Sequence, residues 1–493
     1  MKRSRRSVLL SGVLGLTGCL TLSAAACKTT DATTPTPETP DSSQPAPTKG
    51  PFTAHRAFEL NAVNANPFAD NNGKIPTQSQ YSGPLFSLSH NYPTVQPPPV
   101  TNPPWIAALK GKPIGKDNAL AYVQALKDYI AADMKTLLYN YNAWDAQKAG
   151  WYNEPWLASI RESIHGTYVG SEFPANTFPK SGLKVPMTTY VLTYYDDLAA
   201  YTLGQVWGTT AMNPTITTTS GQFPEGAIVV KVAATSALAS DWPAMEGASL
   251  WPLYVTPPNG DPLAPPQVMN TSIMQFDIIV KDSKTAPKTG WVFSTLVYDK
   301  SVPGTDPWAK MIPLGAMWGN DPDVNSTANP TATLSETVIN PVAPVYSTET
   351  LGWGGRLSGP NDGAVVAPAY YNGQTYPSVA ASSCMSCHSS AQWPMQSFLL
   401  PTPTNPPTTV GDALVIEVPG SAGWDKWFQD NLGNVPMDPG SIAFDFDMVF
   451  TFKSLPAWQR ATQGKSAMKA FEAADAIRGK KAVNPLDLKY NGQ

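Results

Sequence analysis

The chain has 493 residues, enough for two or three units that share cores, and carries a formal net charge of −4. Only 14% of its residues are charged, against about 25% in an average soluble protein, while 50 are Pro. Beyond the first few residues it has no Lys/Arg-rich block, the electrostatic footprint that a phosphate backbone demands, so nucleic acid is not the expected partner.

In chain order, residues 1–27 read as an export signal. Basic Lys2, Arg3, Arg5 and Arg6 precede an apolar stretch that begins at Val8, with no acidic residue before Asp31. Leu16-Thr17-Gly18-Cys19 resembles the lipobox of bacterial lipoproteins, which implies acylation at Cys19, and Ala24-Ala25-Ala26-Cys27 offers Cys27 as the alternative. Ser7 to Ala26 is also just long enough for an uncleaved anchor helix. Each reading places the body outside the cytoplasm, in a bacterial cell envelope, periplasm-facing or at the surface. Residues 28–55 are rich in Thr, Pro and Ser, with too few apolar side chains to offset ordering entropy, and read as a tether.

The expected fold class is mixed α+β. The region 56–219 is expected to be partly helical. Leu120, Val123, Leu126, Ile130, Met134 and Leu137 recur at helical spacing and predict a helix over Asp117–Tyr139. A second helix is predicted from Glu154-Pro155 to Gly166, with His165 at its end. Between 220 and 340 the period changes to two, which predicts an antiparallel β unit. Its strands are expected at Gly226–Ala233, Met274–Val280 and Gly290–Tyr298, the last two paired through a polar turn over Asp282–Thr289. In 341–493, strands are expected at Ala413–Val418 and along the alternating apolar face Ile442, Phe444, Phe446, Met448, Phe450 and Phe452. Short helices are expected around Trp424–Phe428, closed by Gly433, and over Ser466–Arg478.

The segment 341–493 also holds the string that carries chemistry, Cys384-Met385-Ser386-Cys387-His388. Two thiols three positions apart on a tight turn can each bond one vinyl group of a porphyrin, and the next residue then presents an imidazole to the iron. With four Cys and four His in the chain, chance gives this pattern with a probability on the order of 10⁻⁴. A thiol–disulfide exchange site is the alternative for a Cys-x-x-Cys outside the cytoplasm, and a zinc site lacks further Cys outside the leader.

At this motif the chain resembles the c-type cytochromes. The resemblance implies one covalent haem c, with Cys384 and Cys387 as thioether links and His388 as the proximal ligand. The stretches Gly290-Trp291-Val292-Phe293, Trp318-Gly319-Asn320-Asp321 and Ser383 to Gln392 resemble large uncharacterised bacterial mono-haem cytochrome c lipoproteins. Gly352–Pro377 is rich in Gly, Pro and Tyr, and strands are expected downstream, which departs from the simple all-α small cytochrome c.

The expected function is a membrane-tethered one-electron carrier between redox proteins, or from a quinol or other small-molecule donor. The alternative is a peroxidase-like enzyme or a sensor with an open iron position. For the distal iron ligand Met437 is the candidate by its distance downstream; Met448 reads as core, and Met395 lies too close to the motif. His165 reads as structural, and His55 and His90 as exposed. Arg356, beside Trp353, either reaches a haem propionate or packs on an aromatic face. Asp321-Pro322-Asp323-Val324-Asn325 begins like a calcium loop but lacks its Gly and closing Glu, and reads as an acidic turn. No catalytic triad or paired-carboxylate pattern stands out.

Overall fold

The computed structural model describes residues 66–462 apart from 174, 259–263, 325–331, 363–368, 372–373, 377–382 and 395–424. The leader with Cys19 and Cys27, the tether, His55, Met395, the expected strand at 413–418 and the expected helix at 466–478 lie outside these residues.

Helices α1 (Pro104–Ala108), α2 (Ala119–Tyr129) and α3 (Ala131–Tyr139) come first. The single helix expected over Asp117–Tyr139 is thus divided at Ile130, where ψ is 0°. Leu126, Ile130, Met134 and Leu137 are buried on both sides of this break.

Next come β1 (Trp151–Tyr152), β2 (Tyr168–Phe173), β3 (Met187–Asp196) and α4 (Asp197–Trp207), whose first turn is capped by the Asp196 carboxylate accepting from Ala199 N at 2.8 Å. The helix expected over Glu154–Gly166 does not form. Trp156 has a left-handed φ of 65°, and the buried Glu162 carboxylate accepts from the main-chain N–H groups of Ile164, His165 and Thr167, so the backbone is satisfied without helical bonds.

Strands β4 (Ile228–Thr235), β5 (Leu250–Val255), β6 (Gln267–Lys281), β7 (Trp291–Tyr298), β8 (Met311–Met317) and β9 (Thr337–Ile339) follow. A short α5 (Val345–Thr348) and the hairpin of β10 (Ala369–Tyr371) and β11 (Gln374–Tyr376) come after them. β1 to β9 form one antiparallel sheet of nine strands in the order β1-β3-β4-β6-β7-β8-β9, with β2 also on β3 and β5 on the first half of β6. The strands expected around 226–233, 274–280 and 290–298 and the β6–β7 hairpin are present. The sheet starts earlier than expected, since β1 to β3 come from the 56–219 region.

β6 is buried on both faces from Thr271 to Val280. On the Phe276 face it meets the helical layer, where Phe276 packs edge-on to Trp308 and the Lys127 ammonium of α2 lies 5.4 Å from the same indole. The other face, with Asp277 and Ile279, looks into a cavity.

The chain then forms α6 (Cys384–His388), β12 (Gln392–Trp393) and β13 (Ile442–Ala443), which pairs with β12. The long strand expected over 442–452 stops at Ala443. Asp445 and Phe446 are both left-handed, with φ of 45° and 68°, and the chain then coils, with a π-helical turn at Phe450–Ser454. Around Trp427 a single 3-10 turn, Lys426–Phe428, replaces the expected helix. Among the described residues no helix is long and apolar enough to cross a membrane.

Candidate functional site

The Cys-x-x-Cys-His string forms the one-turn helix α6. Ser383 caps it: its hydroxyl accepts from Ser386 N at 3.1 Å, and the Ser386 hydroxyl accepts from Ser383 N at 2.6 Å. Cys384 N donates to Leu357 O at 2.9 Å, which ties the helix to the preceding loop. The turn brings Cys384, Cys387 and His388 onto one wall of a cavity of about 80 Å³.

The His388 ring is held from behind. Its Nδ1 lies 2.7 Å from the carbonyl oxygen of Phe446, which can only accept, so Nδ1 carries the proton and Nε2 keeps the lone pair. Burial pushes the imidazole down to about 4, against a smaller upward pull from that carbonyl, so the ring is neutral at pH 7. A neutral imidazole whose second nitrogen donates to a backbone carbonyl is the form that ligates metals. The Phe293 ring stands at 64° to it, with centroids 4.9 Å apart.

Phe446 presents its carbonyl because Asp445 anchors the strap to the sheet. The Asp445 carboxylate accepts from Lys281 Nζ at 2.6 Å, Trp291 Nε1 at 2.8 Å and Phe223 N at 2.8 Å. Gly433 is required here, because a Cβ at that position would collide with the same carboxylate. Two successive left-handed non-Gly residues cost free energy, and the three bonds to Asp445 hold them in place.

The facing wall follows from strand register. Thr193, Lys231, Asp277 and Thr295 stand opposite one another across β3, β4, β6 and β7, and Tyr195, Val229, Ile279 and Phe293 form the next row. All eight line the cavity. Lys231 Nζ pairs with Asp362 at 2.6 Å and reaches Asp277 at 3.6 Å; burial alone would lower its pKa, but these two carboxylates hold the ammonium above its usual range. Burial lifts the Asp277 carboxyl to about 6 in spite of Lys231. The buried Lys453 Nζ sits 3.7 Å from the centroid of the Tyr168 ring, and burial, then Lys231, push its pKa well down.

Cys384 and Cys387 carry thiols and are not joined to each other. Burial raises the Cys384 thiol well above its ordinary value, and Asp362 and Asp277 add to this. The attacking thiol of an exchange site is normally lowered instead, so the environment argues against thiol–disulfide exchange. Among the described residues no group of three or more His, Cys, Asp or Glu is placed to hold a metal ion.

No protein-family model, curated protein or solved structure matches the chain.

Met437 is not brought to this cavity. It packs against Trp353, Trp427 and Phe428, an aromatic satellite of the main core, because its loop is held by Asp438, which pairs with Lys426 and Gln392. Among the described residues the methionine on the cavity wall is Met448, whose Sδ lies 3.8 Å from Ser390 Oγ. Arg356 is fully buried between Trp353 and Phe428 and donates to the carbonyls of Asn320, Asp321 and Val324, so the expected aromatic packing is realised. The Asp321 carboxylate is held within its own turn, accepting from Ser335 N and Oγ and from Glu336 N. His165 is buried and stacked on Trp251, with Nδ1 3.0 Å from Pro252 O, a structural role. His90 is half-buried and stacks on Phe68 rather than standing exposed.

Sequence reasoning missed Lys231, Asp277, Asp362, Asp445 and Lys453. A signal was present for two of them: Lys231 interrupts Ile228-Val229-Val230 and Val232-Ala233, and Asp277 lies between Phe276 and Ile278. A charge inside a strand buried on both faces must meet a partner or a polar cavity.

Proposed function

We propose that the chain is an exported haem c protein of the bacterial envelope, tethered to a membrane through Cys19 or Cys27, that passes single electrons between redox partners. Cys384 and Cys387 would hold the macrocycle through thioethers, and His388 would ligate the iron through Nε2. The observation that carries this reading is the His388 imidazole, neutral and donating through Nδ1 to Phe446 O, on the same cavity wall as both thiols. Bound there, the haem supplies reversible one-electron chemistry. The protein's own part is to orient the imidazole through the strap, to exclude water with Phe293, Phe446 and Val449, and to surround the site with the Lys231–Asp277–Asp362 group.

A second reading, a haem enzyme or sensor with an open iron position, is favoured by one observation. Met437 lies in the aromatic satellite, while the wall built by β3, β4, β6 and β7 bears ionisable and hydroxyl groups. The two readings separate on a spectrum of purified protein: six-coordinate and low-spin for the carrier, high-spin with ready carbon monoxide binding for the second. Both require that haem stays with the polypeptide on a denaturing gel, seen by its peroxidase activity, and that Cys384→Ala with Cys387→Ala abolishes that signal. Loss of all haem to acidified organic solvent would contradict both.

A further inference from the structure

A second, smaller chamber of about 10 Å³, room for about one water, adjoins the cavity and shares Tyr168, Thr193, Tyr195 and Val449 with its wall. Four side-chain atoms of the chamber's lining residues have no hydrogen-bond partner: the acceptors Glu154 Oε1 and Asn153 Oδ1, the donor Arg161 Nη1 and the Tyr195 hydroxyl. Each residue is 2% exposed or less. A buried polar group left without a partner is destabilising, because nothing replaces the water it gave up. Donors and acceptors together around a small polar void are the surroundings that hold ordered water.

The other Glu154 oxygen accepts from Trp207 Nε1 at 2.6 Å. Arg161 is a weak counterion, because its Nη2 donates to the Glu154 main-chain oxygen. Burial, and then the carboxyl of Asp447, hold Glu154 well above the carboxylate range. Asp447 lies on the wall of the larger cavity, raised to about 6 by burial, with the Tyr195 hydroxyl turned toward it. Arg161 and Tyr92 face Glu154 from the N-terminal segment, Tyr195 from β3 and Trp207 from α4. Around Asp447 the cavity wall adds Asp445, Lys231, Asp277 and Lys453.

We propose that Glu154, the chamber's water and Asp447 form a proton store that takes up one proton from solvent when the site is reduced by one electron. The inference rests on the haem reading. An external one-electron donor adds one negative charge to the cavity, and one solvent proton binds the remaining carboxylate of the pair, which goes from one proton to two. The only bond formed is that O–H, and the added charge and the proton cancel. Asp447 lies on the cavity wall and Tyr195 lines both the cavity and the chamber, which places the carboxyl pair beside the added charge.

Two measurements on the full chain test this. Infrared spectroscopy at pH 7 should show a protonated carboxyl band that shifts in D2O and is lost in Glu154→Gln. The reduction potential should fall with rising pH, approaching about 59 mV for each tenfold drop in proton activity, and Glu154→Gln or Asp447→Asn should at least halve that slope. Asp447→Asn keeps the second test available if the Glu154 variant does not fold. A native protein without the band overturns the store, with or without haem. A haem-loaded protein with the band but a pH-independent potential overturns the coupling. A chain without haem overturns the reading beneath the coupling, while the band still decides whether the store exists.

Discussion

Replacing Asp445 tests whether the strap positions His388. The carboxylate is fully buried and receives the ammonium of Lys281, whose side chain is 12% exposed, the Trp291 indole N–H and the Phe223 main-chain N–H. Asp445→Ala strands a mostly buried cation, which costs about 3–5 kcal/mol. It also leaves two donors unsatisfied, at about 1–3 kcal/mol each. The three share one carboxylate and are not additive, so about 5 kcal/mol in total is expected. Asp445→Asn keeps the shape and one acceptor oxygen and should cost about 2 kcal/mol. Urea denaturation reads both as a lower midpoint with an unchanged slope. With the Phe446 carbonyl released, haem attached per folded chain should also fall. An Asp445→Ala protein within about 0.5 kcal/mol of the parent, with full haem, would refute the argument.

Met437→Ala should leave the spin state unchanged and cost about 1–3 kcal/mol through the Trp353–Trp427–Phe428 cluster; a change from low- to high-spin in the absorption spectrum would place Met437 on the iron after all. Burial holds His165 at about 3, below its unfolded value of about 6.5. Its contribution is therefore complete above about pH 6.5 and is lost as pH falls toward 3, because the unfolded chain binds a proton that the folded chain refuses. Denaturation at about pH 4.5 should show roughly 3 kcal/mol less stability from this group than at pH 7, and His165→Gln should flatten that dependence. At the N-terminus, the mature protein should partition with membranes in detergent, and mass analysis of its first peptide should find acyl chains on Cys19 or Cys27; a soluble form with a free N-terminal amine counts against the tether.

The sequence by itself was enough for the mixed class, the core strands β4, β6 and β7, the β6–β7 hairpin and the Cys-x-x-Cys-His string. These are local: alternation over a few residues, or a run of five consecutive side chains. Where local pattern and tertiary contact disagreed, contact prevailed. The alternating Ile442–Phe452 face predicts a strand, yet Asp445 is drawn to Lys281, Trp291 and Phe223, and the backbone turns left-handed to follow it. The Glu154–Gly166 pattern predicts a helix, yet Glu162 collects the N–H groups a helix would have used. The Phe446 carbonyl behind His388, the Thr193–Lys231–Asp277–Thr295 row and the place of Met437 away from the cavity were decided only by the tertiary structure. Each joins residues far apart in the chain through strand register or a buried charge's need for partners, and neither leaves a periodic mark on the sequence.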